Sequence, residues 1–185
     1  MDPKTDTRNL VDEYKGLPNE EVLSRLDKKR TSLEVAIENL SHDFNIGTVV
    51  RNANAFNVSK VHILGKRKYN RRGAMVTDKY LHMDHFEDVT EFVKDAHERG
   101  MIVVVIDNNR PESKPLQGAD IKPNSILVFG SESDGISQEL LGLADCCYYI
   151  EQLGSTRSIN VGCASAVAMY EFTRRLGYFD KDPNA

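Results

Sequence analysis

The chain has 185 residues, of which 40% are hydrophobic and 28% are charged, and its formal net charge is −4. This composition excludes a wholly disordered or collagen-like chain, and no apolar run approaches the roughly 20 residues that span a bilayer. The three cysteines form no CxxC pair, and the opening residues MDPKTDTRNL lack the apolar core of a signal peptide. We therefore expect no disulfide framework, no metal site and a cytoplasmic location.

The chain divides into a polar extension, one domain and a short tail. Residues 1–30 form the extension, in which Asn19 is placed to cap a short helix over 20–29. Regular apolar patterning begins at Ser32, so we assign residues 31–177 to a single domain and residues 178–185 to the tail.

The domain alternates strands and helices along its length. Strands are predicted from alternating or continuous apolar runs, and helices from apolar residues at helical spacing between caps and glycines. In chain order we predict a strand over 33–37, a helix over 45–56, strands over 61–64 and 102–106 with a helix over 87–99 between them, a loop over 107–123, a strand over 125–129, a helix capped by Ser137, a strand over 146–150 and a helix from about Ser158 to Leu176. The alternation predicts an α/β layered fold with a parallel sheet, whose ligands lie beyond the carboxyl ends of the strands.

The charge is unevenly distributed. From Phe44 to Thr77 there are seven basic residues and no acidic one, so the net charge of −4 is the sum of +7 here and −11 elsewhere. The seven are Arg51, Lys60, Lys66, Arg67, Lys68, Arg71 and Arg72. Such asymmetry indicates a local surface for a polyanion on an acidic body, and a solvated basic loop is the plainer alternative.

Three segments on the predicted loops carry polar residues suited to chemistry. They are Asn45–Arg51, Phe129–Ser137 and Gly154–Ala166. Each one alone also fits an ordinary role, as a capped helix start or a strand-to-helix connection. None contains a P-loop, a dinucleotide-binding GxGxxG or a hydrolase GxSxG pattern.

Taken together, the three segments read N-x-G-x-x-x-R, FG-x-E-x-x-G and S-[LI]-N-V followed by small residues. This order resembles the SpoU (TrmH-like) branch of the SPOUT methyltransferases, and the resemblance covers about Leu33 to Arg175. It implies methyl transfer from S-adenosylmethionine to a ribose 2′-hydroxyl of tRNA or rRNA, in a homodimer and without a metal. It also implies a carboxyl-terminal deep trefoil knot, a feature that is very rare in other folds.

The resemblance assigns residues to each part of the site. By motif, the catalytic set is Asn45, Arg51, Glu132, Ser158 and Asn160, and the cofactor pocket uses Gly130, Ile150 and Ile159, with Asp107 and Asn108 as further lining. Whether Arg51 moves a proton or only positions the substrate is left open, although a guanidinium with a pKa above about 12 is a poor base. Ile159 replaces the usual Leu, and Gly162 and Cys163 stand where bulkier residues are frequent.

The basic stretch adds an expected RNA contact. Its cations would follow the phosphate backbone and its aromatic ring would stack on an exposed base. The residues are Lys66, Arg67, Lys68, Tyr69, Arg71 and Arg72, and the run Lys28–Arg30 would extend the same surface. Two alternatives stay open at this point: a catalytically inactive RNA-binding protein on the same fold, and a small-molecule α/β enzyme that uses another nucleotide.

Overall fold

The sheet has seven strands, all paired in parallel. A computed structural model describes residues 2–40, 45–108, 111–131 and 135–180. Its strands are β1 (Glu34–Asn39), β2 (Lys60–Gly65), β3 (Met83–Phe86), β4 (Ile102–Ile106), β5 (Lys114–Pro115), β6 (Ser125–Phe129) and β7 (Cys146–Tyr149). Their order across the sheet is β3-β2-β1-β6-β4-β7-β5. The predicted parallel α/β fold is confirmed, and the knot stays a prediction that rests on the family resemblance.

Two strands were not predicted, and both lie at the edges of the sheet. β3 reads Met-Asp-His-Phe, which lacks a β-branched run, and its residues are only partly buried or exposed. β5 consists of two exposed residues inside the proline-bearing stretch 107–123, which we predicted to be mostly loop and turn. Edge strands bury less surface, so they leave a weaker apolar signal in the sequence.

Helices cover both faces of the sheet. They are α1 (Asn19–Asp27), α2 (Asn45–Ala55), α3 (Val89–Glu98), α4 (Gln138–Leu143) and α5 (Val161–Arg175). The core on one face includes residues of α2 and α5, and the core on the other includes residues of α3 and α4. Alternate residues of β1 supply the two cores, since Val35 and Ile37 belong to the first and Ala36 to the second.

Two of the predicted helix caps differ from those in the structure. Asn19 is the first residue of α1 and follows Pro18, so it is not the cap. Ser158 does not cap α5 either, because the helix begins three residues later and its cap is Asn160. The Asn160 Oδ1 accepts hydrogen bonds from the backbone amides of Gly162 (2.9 Å) and Cys163 (3.3 Å), which satisfies amides that the first helical turn leaves without partners.

The amino-terminal extension packs on the domain. Tyr14 and Val22 of the extension form a small apolar cluster with Tyr80. The Arg30 guanidinium, only 8% exposed, donates hydrogen bonds to the carbonyls of Val58 (3.0 Å) and Tyr80 (3.0 Å). Arg30 therefore anchors the extension, and within the run Lys28–Arg30 only Lys28 and Lys29 are exposed for the predicted RNA contact.

A buried ion cluster lies at the amino-terminal end of the central strands. The Glu34 carboxylate bonds to the Nε2 of His62 at 2.7 Å and to the Arg99 guanidinium at 2.8 and 3.0 Å. Burial alone would raise the pKa of Glu34, but the hydrogen bonds from His62 and Arg99 outweigh it and lower that pKa to about 2. The paired carboxylate is thus ionised at neutral pH and joins β1, β2 and α3.

Candidate active site

A cavity of about 430 Å³ lies beyond the carboxyl ends of β4, β6 and β7. Asp107 and Asn108 follow β4, Gly130 follows β6, and Ile150 follows β7. The loop before α5 closes another side with Ser158 and Ile159. All five residues predicted for the cofactor therefore line one cavity: Gly130, Ile150, Ile159, Asp107 and Asn108.

The loop after β6 closes on itself because Gly130 has no side chain. A Cβ at Gly130 would lie 2.2 Å from the backbone carbon and oxygen of Gly135. Ser131 and Gly135 exchange two backbone hydrogen bonds of 3.1 and 2.9 Å across the loop neck, and Gly135 has a φ of +66°, which glycine adopts most readily. Glu132, predicted to be catalytic, falls within 132–134, outside the described residues.

The first and third motifs meet through two asparagines. The Asn160 Nδ2 donates a hydrogen bond to the Asn45 Oδ1 at 2.9 Å, while its own Oδ1 caps α5. Asn160 and Ser158 line the cavity, whereas Asn45 is not among the described lining residues and is bonded to Asn160. The predicted catalytic residue Arg51 lies further along α2, is exposed and is not among the residues that line the cavity.

Close packing of α2 on α5 holds this arrangement together, and Gly162 is its centre. A Cβ at Gly162 would lie 2.7 Å from the Thr48 Cγ2. The Asn52 Nδ2 donates to the Gly162 carbonyl (2.7 Å) and to the Ser165 hydroxyl (2.9 Å). The departure from the family pattern at Gly162 thus fits the close approach of α2. Asn52, which no sequence motif contains, helps to hold the two helices together.

Helix α2 also packs, backbone against backbone, on the loop over 66–73, which carries the basic stretch and is called the basic loop below. A Cβ at Gly47 would lie 2.8 Å from the Asn70 carbonyl oxygen and from the Ala74 amide nitrogen. In return, a Cβ at Gly73 would lie 2.9 Å from the Thr48 amide nitrogen. The glycine of the N-x-G motif therefore brings residues 70–74 against the start of the helix that carries Arg51.

Side chains at the carboxyl end of β1 form hydrogen bonds with the loop after β6 and with the loop after β2. Glu38, which is 1% exposed, accepts a hydrogen bond from the Ser137 amide at 2.7 Å, where the loop after β6 enters α4. Asn39, fully buried, donates through its Nδ2 to the carbonyls of Lys66 and of Lys68, the latter at 3.0 Å. Neither residue was singled out from the sequence, although two polar residues ending a buried strand are an available signal.

The basic loop presents its cations to solvent. Lys66, Arg67, Lys68, Arg71 and Arg72 are exposed, while Tyr69 is half-buried and packs against the core. Burial raises the pKa of the Tyr69 hydroxyl, so that group is neutral at physiological pH. Arg71 is paired with Asp78, so part of its charge is balanced within the molecule.

Comparisons with known proteins agree with this geometry. The model of the SpoU rRNA methylase family matches residues 32–170. The chain belongs to that family. It is 28% identical over 88% of its length to a tRNA (guanosine(18)-2′-O)-methyltransferase of Thermus thermophilus, of which 84% is covered. A second relative of the same name, from Escherichia coli, is 26% identical over 83% of this chain and 68% of its own.

Solved structures of this SpoU family share the fold. The TrmH/SpoU tRNA-modifying enzyme of Aquifex aeolicus superposes with a TM-score of 0.74, at 24% identity and with 89% of each chain covered. The SpoU methyltransferase AviRb of Streptomyces viridochromogenes, in complex with AdoMet, gives 0.69 at 22% identity, over 83% of this chain and 64% of its own. Family membership confirms the predicted class, an S-adenosylmethionine-dependent RNA methyltransferase, over the inactive and small-molecule alternatives.

Two further properties of the described residues concern membranes and metals. Within 2–40, 45–108, 111–131 and 135–180, no helix is long and apolar enough to cross a membrane. The same residues place no three His, Cys, Asp or Glu side chains together as a metal site.

Proposed function

We propose that this SpoU family member transfers the methyl group of S-adenosylmethionine to a ribose 2′-hydroxyl of tRNA. The observation that carries the proposal is the cavity at the ends of β4, β6 and β7, joined through Asn160 and Asn45 to the helix that bears Arg51. The names of the Thermus thermophilus and Escherichia coli relatives favour tRNA over rRNA as the substrate. The reaction would take place in the cytoplasm, where tRNA is available.

The lining of the cavity suits S-adenosylmethionine. Its volume of about 430 Å³ lies within the range of roughly 300–1,000 Å³ that ligand pockets occupy. Ile150 and Ile159 offer apolar surface to the adenine, while the backbone beside Gly130 offers hydrogen-bonding groups. Asp107 and Asn108 would hold the polar parts of the cofactor. When bound, the cofactor supplies an electrophilic methyl group on a sulfonium, which requires no metal.

The remaining residues of the motif set would prepare the ribose. Arg51 would hold a substrate phosphate in its planar fork and so orient the hydroxyl for in-line attack. Its exposed position on α2 suits this positioning role, and the released proton would pass to phosphate or water. Asn45, Ser158 and Asn160 would order the wall between Arg51 and the cofactor, and Glu132 would complete the set from the loop after β6.

The cations of the basic loop would bind the RNA backbone. Lys66, Arg67, Lys68 and Arg72 are exposed on a loop that packs directly against the start of α2, the helix that bears Arg51. The acidic remainder of the chain would face away from the RNA. This arrangement explains how a chain with a net charge of −4 binds a polyanion.

A second copy of the chain would cover the apolar side of α5. Val167 and Tyr170 are 45% and 52% exposed, and with Phe56 and Ile150 they line a groove of about 560 Å³. Exposed apolar grooves of this kind mark interaction surfaces. Tyr170→Glu is expected to convert a dimer to monomers in sedimentation equilibrium, and a wild-type chain that sediments as a monomer at micromolar concentration would contradict the dimer.

The decisive experiment is transfer of labelled methyl from S-adenosylmethionine to purified tRNA and rRNA, followed by mapping of the 2′-O-methyl position. Arg51→Ala is expected to slow transfer about a hundredfold, because misplacement of the reacting hydroxyl costs about that much. Arg25→Ala is the matched control, an exposed arginine paired with Glu21 on α1. Normal transfer by Arg51→Ala would refute the role of Arg51, and no transfer to any RNA would refute the function.

A further inference from the structure

A second cavity, of about 460 Å³, lies at the β3 edge of the sheet, where residues of β2 and β3 meet the loop that follows β2. It belongs to neither the cofactor cavity nor the apolar groove of α5. Ile63 and Met83 form an apolar part of its lining, and Tyr69 contributes an aromatic ring. The polar residues around them are Arg67, Lys68, Arg71, Asp78, Asp84 and His85.

The chemistry of this lining fits a nucleobase followed by its phosphate. An aromatic ring beside apolar side chains accepts the flat face of a base, and charged groups around it can bond to the base edge. Both carboxylates in the lining are already paired, Asp78 with Arg71 and Asp84 with Lys60 at 2.9 Å. They therefore repel a phosphate weakly, while Arg67 and Lys68 stand exposed beside the cavity to attract it.

The cavity is built before any RNA arrives. The Asn39 Nδ2 donates hydrogen bonds to the carbonyls of Lys66 and Lys68, and the His85 Nε2 donates one to the Gly65 carbonyl at 2.7 Å. Tyr69 is half-buried against the core, so little of its side-chain freedom is left to lose when a base stacks on it.

We infer that this cavity binds a nucleobase of the substrate RNA that is not the nucleotide methylated. Its strand residues belong to β3 and β2, whereas the cavity proposed for the cofactor is lined from β6, β4 and β7, so about three and a half strand positions separate the two in the order β3-β2-β1-β6-β4-β7. With about 4.8 Å between strands, the two sites are roughly 17 Å apart, a distance that one ribose cannot span and a short single strand can. The inference rests on the proposed function and adds a second site at which the protein would contact its substrate RNA.

The test compares two substitutions of one ring. Tyr69→Leu keeps an apolar side chain against the core and removes the stacking face, and it is expected to weaken tRNA binding by about five- to a hundredfold. Tyr69→Phe keeps the ring and is expected to stay within about twofold of wild type. The affinity for S-adenosylmethionine, measured by calorimetry, is expected to be unchanged in both.

Salt dependence separates stacking from charge. Lys66→Ala, outside the lining, is expected to lower the slope of log affinity against log salt by about one, as loss of a phosphate contact does. Tyr69→Leu is expected to leave that slope unchanged. Wild-type tRNA affinity in Tyr69→Leu, or an equal loss in Tyr69→Phe, would overturn the inference.

A measurement on the wild-type chain keeps the test independent of folding in the variants. The ¹³C-methyl resonance of Met83 is expected to shift when substrate tRNA is added, and an unmoved resonance at saturating tRNA would overturn the inference. Methyl transfer by the same preparation reports on the proposed function separately. Active transfer with an unmoved Met83 signal refutes the cavity alone, whereas absent transfer to every RNA refutes the function.

Discussion

Asn39 offers the sharpest link between the fold and RNA binding. Its side-chain amide donates to the carbonyls of Lys66 and Lys68 from a fully buried position at the end of β1. Asn39→Asp keeps the shape of the side chain but replaces the donor with a carboxylate oxygen. Two carbonyl oxygens would then face an acceptor, so the basic loop would leave its present position.

The size of the effect follows from the two lost bonds. Each hydrogen bond contributes about 1 kcal/mol net, and an unsatisfied buried group costs about 1–3 kcal/mol, so we expect a loss of about 2–4 kcal/mol in the free energy of unfolding. Fixing a backbone residue costs roughly 1–2 kcal/mol. Re-ordering one loop residue on RNA would therefore lower tRNA affinity by about tenfold.

Urea unfolding and tRNA filter binding measure the two effects, with calorimetry for S-adenosylmethionine as a third readout that should not change. Asn124→Asp is the matched control, since Asn124 donates to the Gly100 carbonyl at 2.6 Å and lies just before β6, at the opposite end of the sheet. If Asn39→Asp loses stability but binds tRNA with wild-type affinity, the reasoning that the anchored loop is an RNA surface is wrong. If neither quantity changes, the two hydrogen bonds contribute nothing.

The remaining predictions concern stability. The pKa of Glu34 is lowered from 4.5 to about 2, so its ionised form stabilises the fold fully above pH 4.5 and that stabilisation is lost as the pH falls toward 2. Urea unfolding at a series of pH values should show the free energy of unfolding falling by up to about 3 kcal/mol over this range. The Glu34→Gln variant should lack this fall. Gly47→Ala should lower the melting temperature, because its Cβ would meet backbone atoms at 2.8 Å. Gly142→Ala, with open space around it, should melt at the wild-type temperature or above it. If the two variants melted at the same temperature, the packing argument would be contradicted. Asn160→Ala removes a helix cap and the bond to Asn45, and calorimetric melting should report a loss of about 1–2 kcal/mol; an unchanged melting curve would show that the cap does not stabilise α5.

The sheet was predictable where strands are buried on both faces. The β-branched run over 102–106 and the apolar run over 125–129 became β4 and β6 with unchanged bounds. β3 and β5 lie at the edges, where partial exposure weakens the pattern. The apolar pattern of a segment therefore indicates how far it is buried. A strand can be recognised from its own sequence only where that burial is extensive.

That the residues assigned to the cofactor pocket share one cavity was predictable, because they follow strand ends and carry family motifs. Gly130, Ile150 and Asp107 are far apart in sequence, yet parallel strands bring their carboxyl ends to one edge. The contacts of Asn39 and Asn52 were not predictable, because each joins residues that no local pattern pairs. The cap of α5 was placed at Ser158 although Asn160 is an equally good cap, since residue type alone does not choose between them.

Ile150 belongs to two surfaces at once. It lines the cavity proposed for the cofactor, and it also lines the apolar groove beside Val167 and Tyr170. If a second copy of the chain covers that groove, any shift of Ile150 on cofactor binding alters the surface that the second copy meets. Thermodynamic linkage makes such coupling reciprocal: a cofactor that tightens subunit association is itself bound more tightly by the associated form, so its affinity would depend on protein concentration.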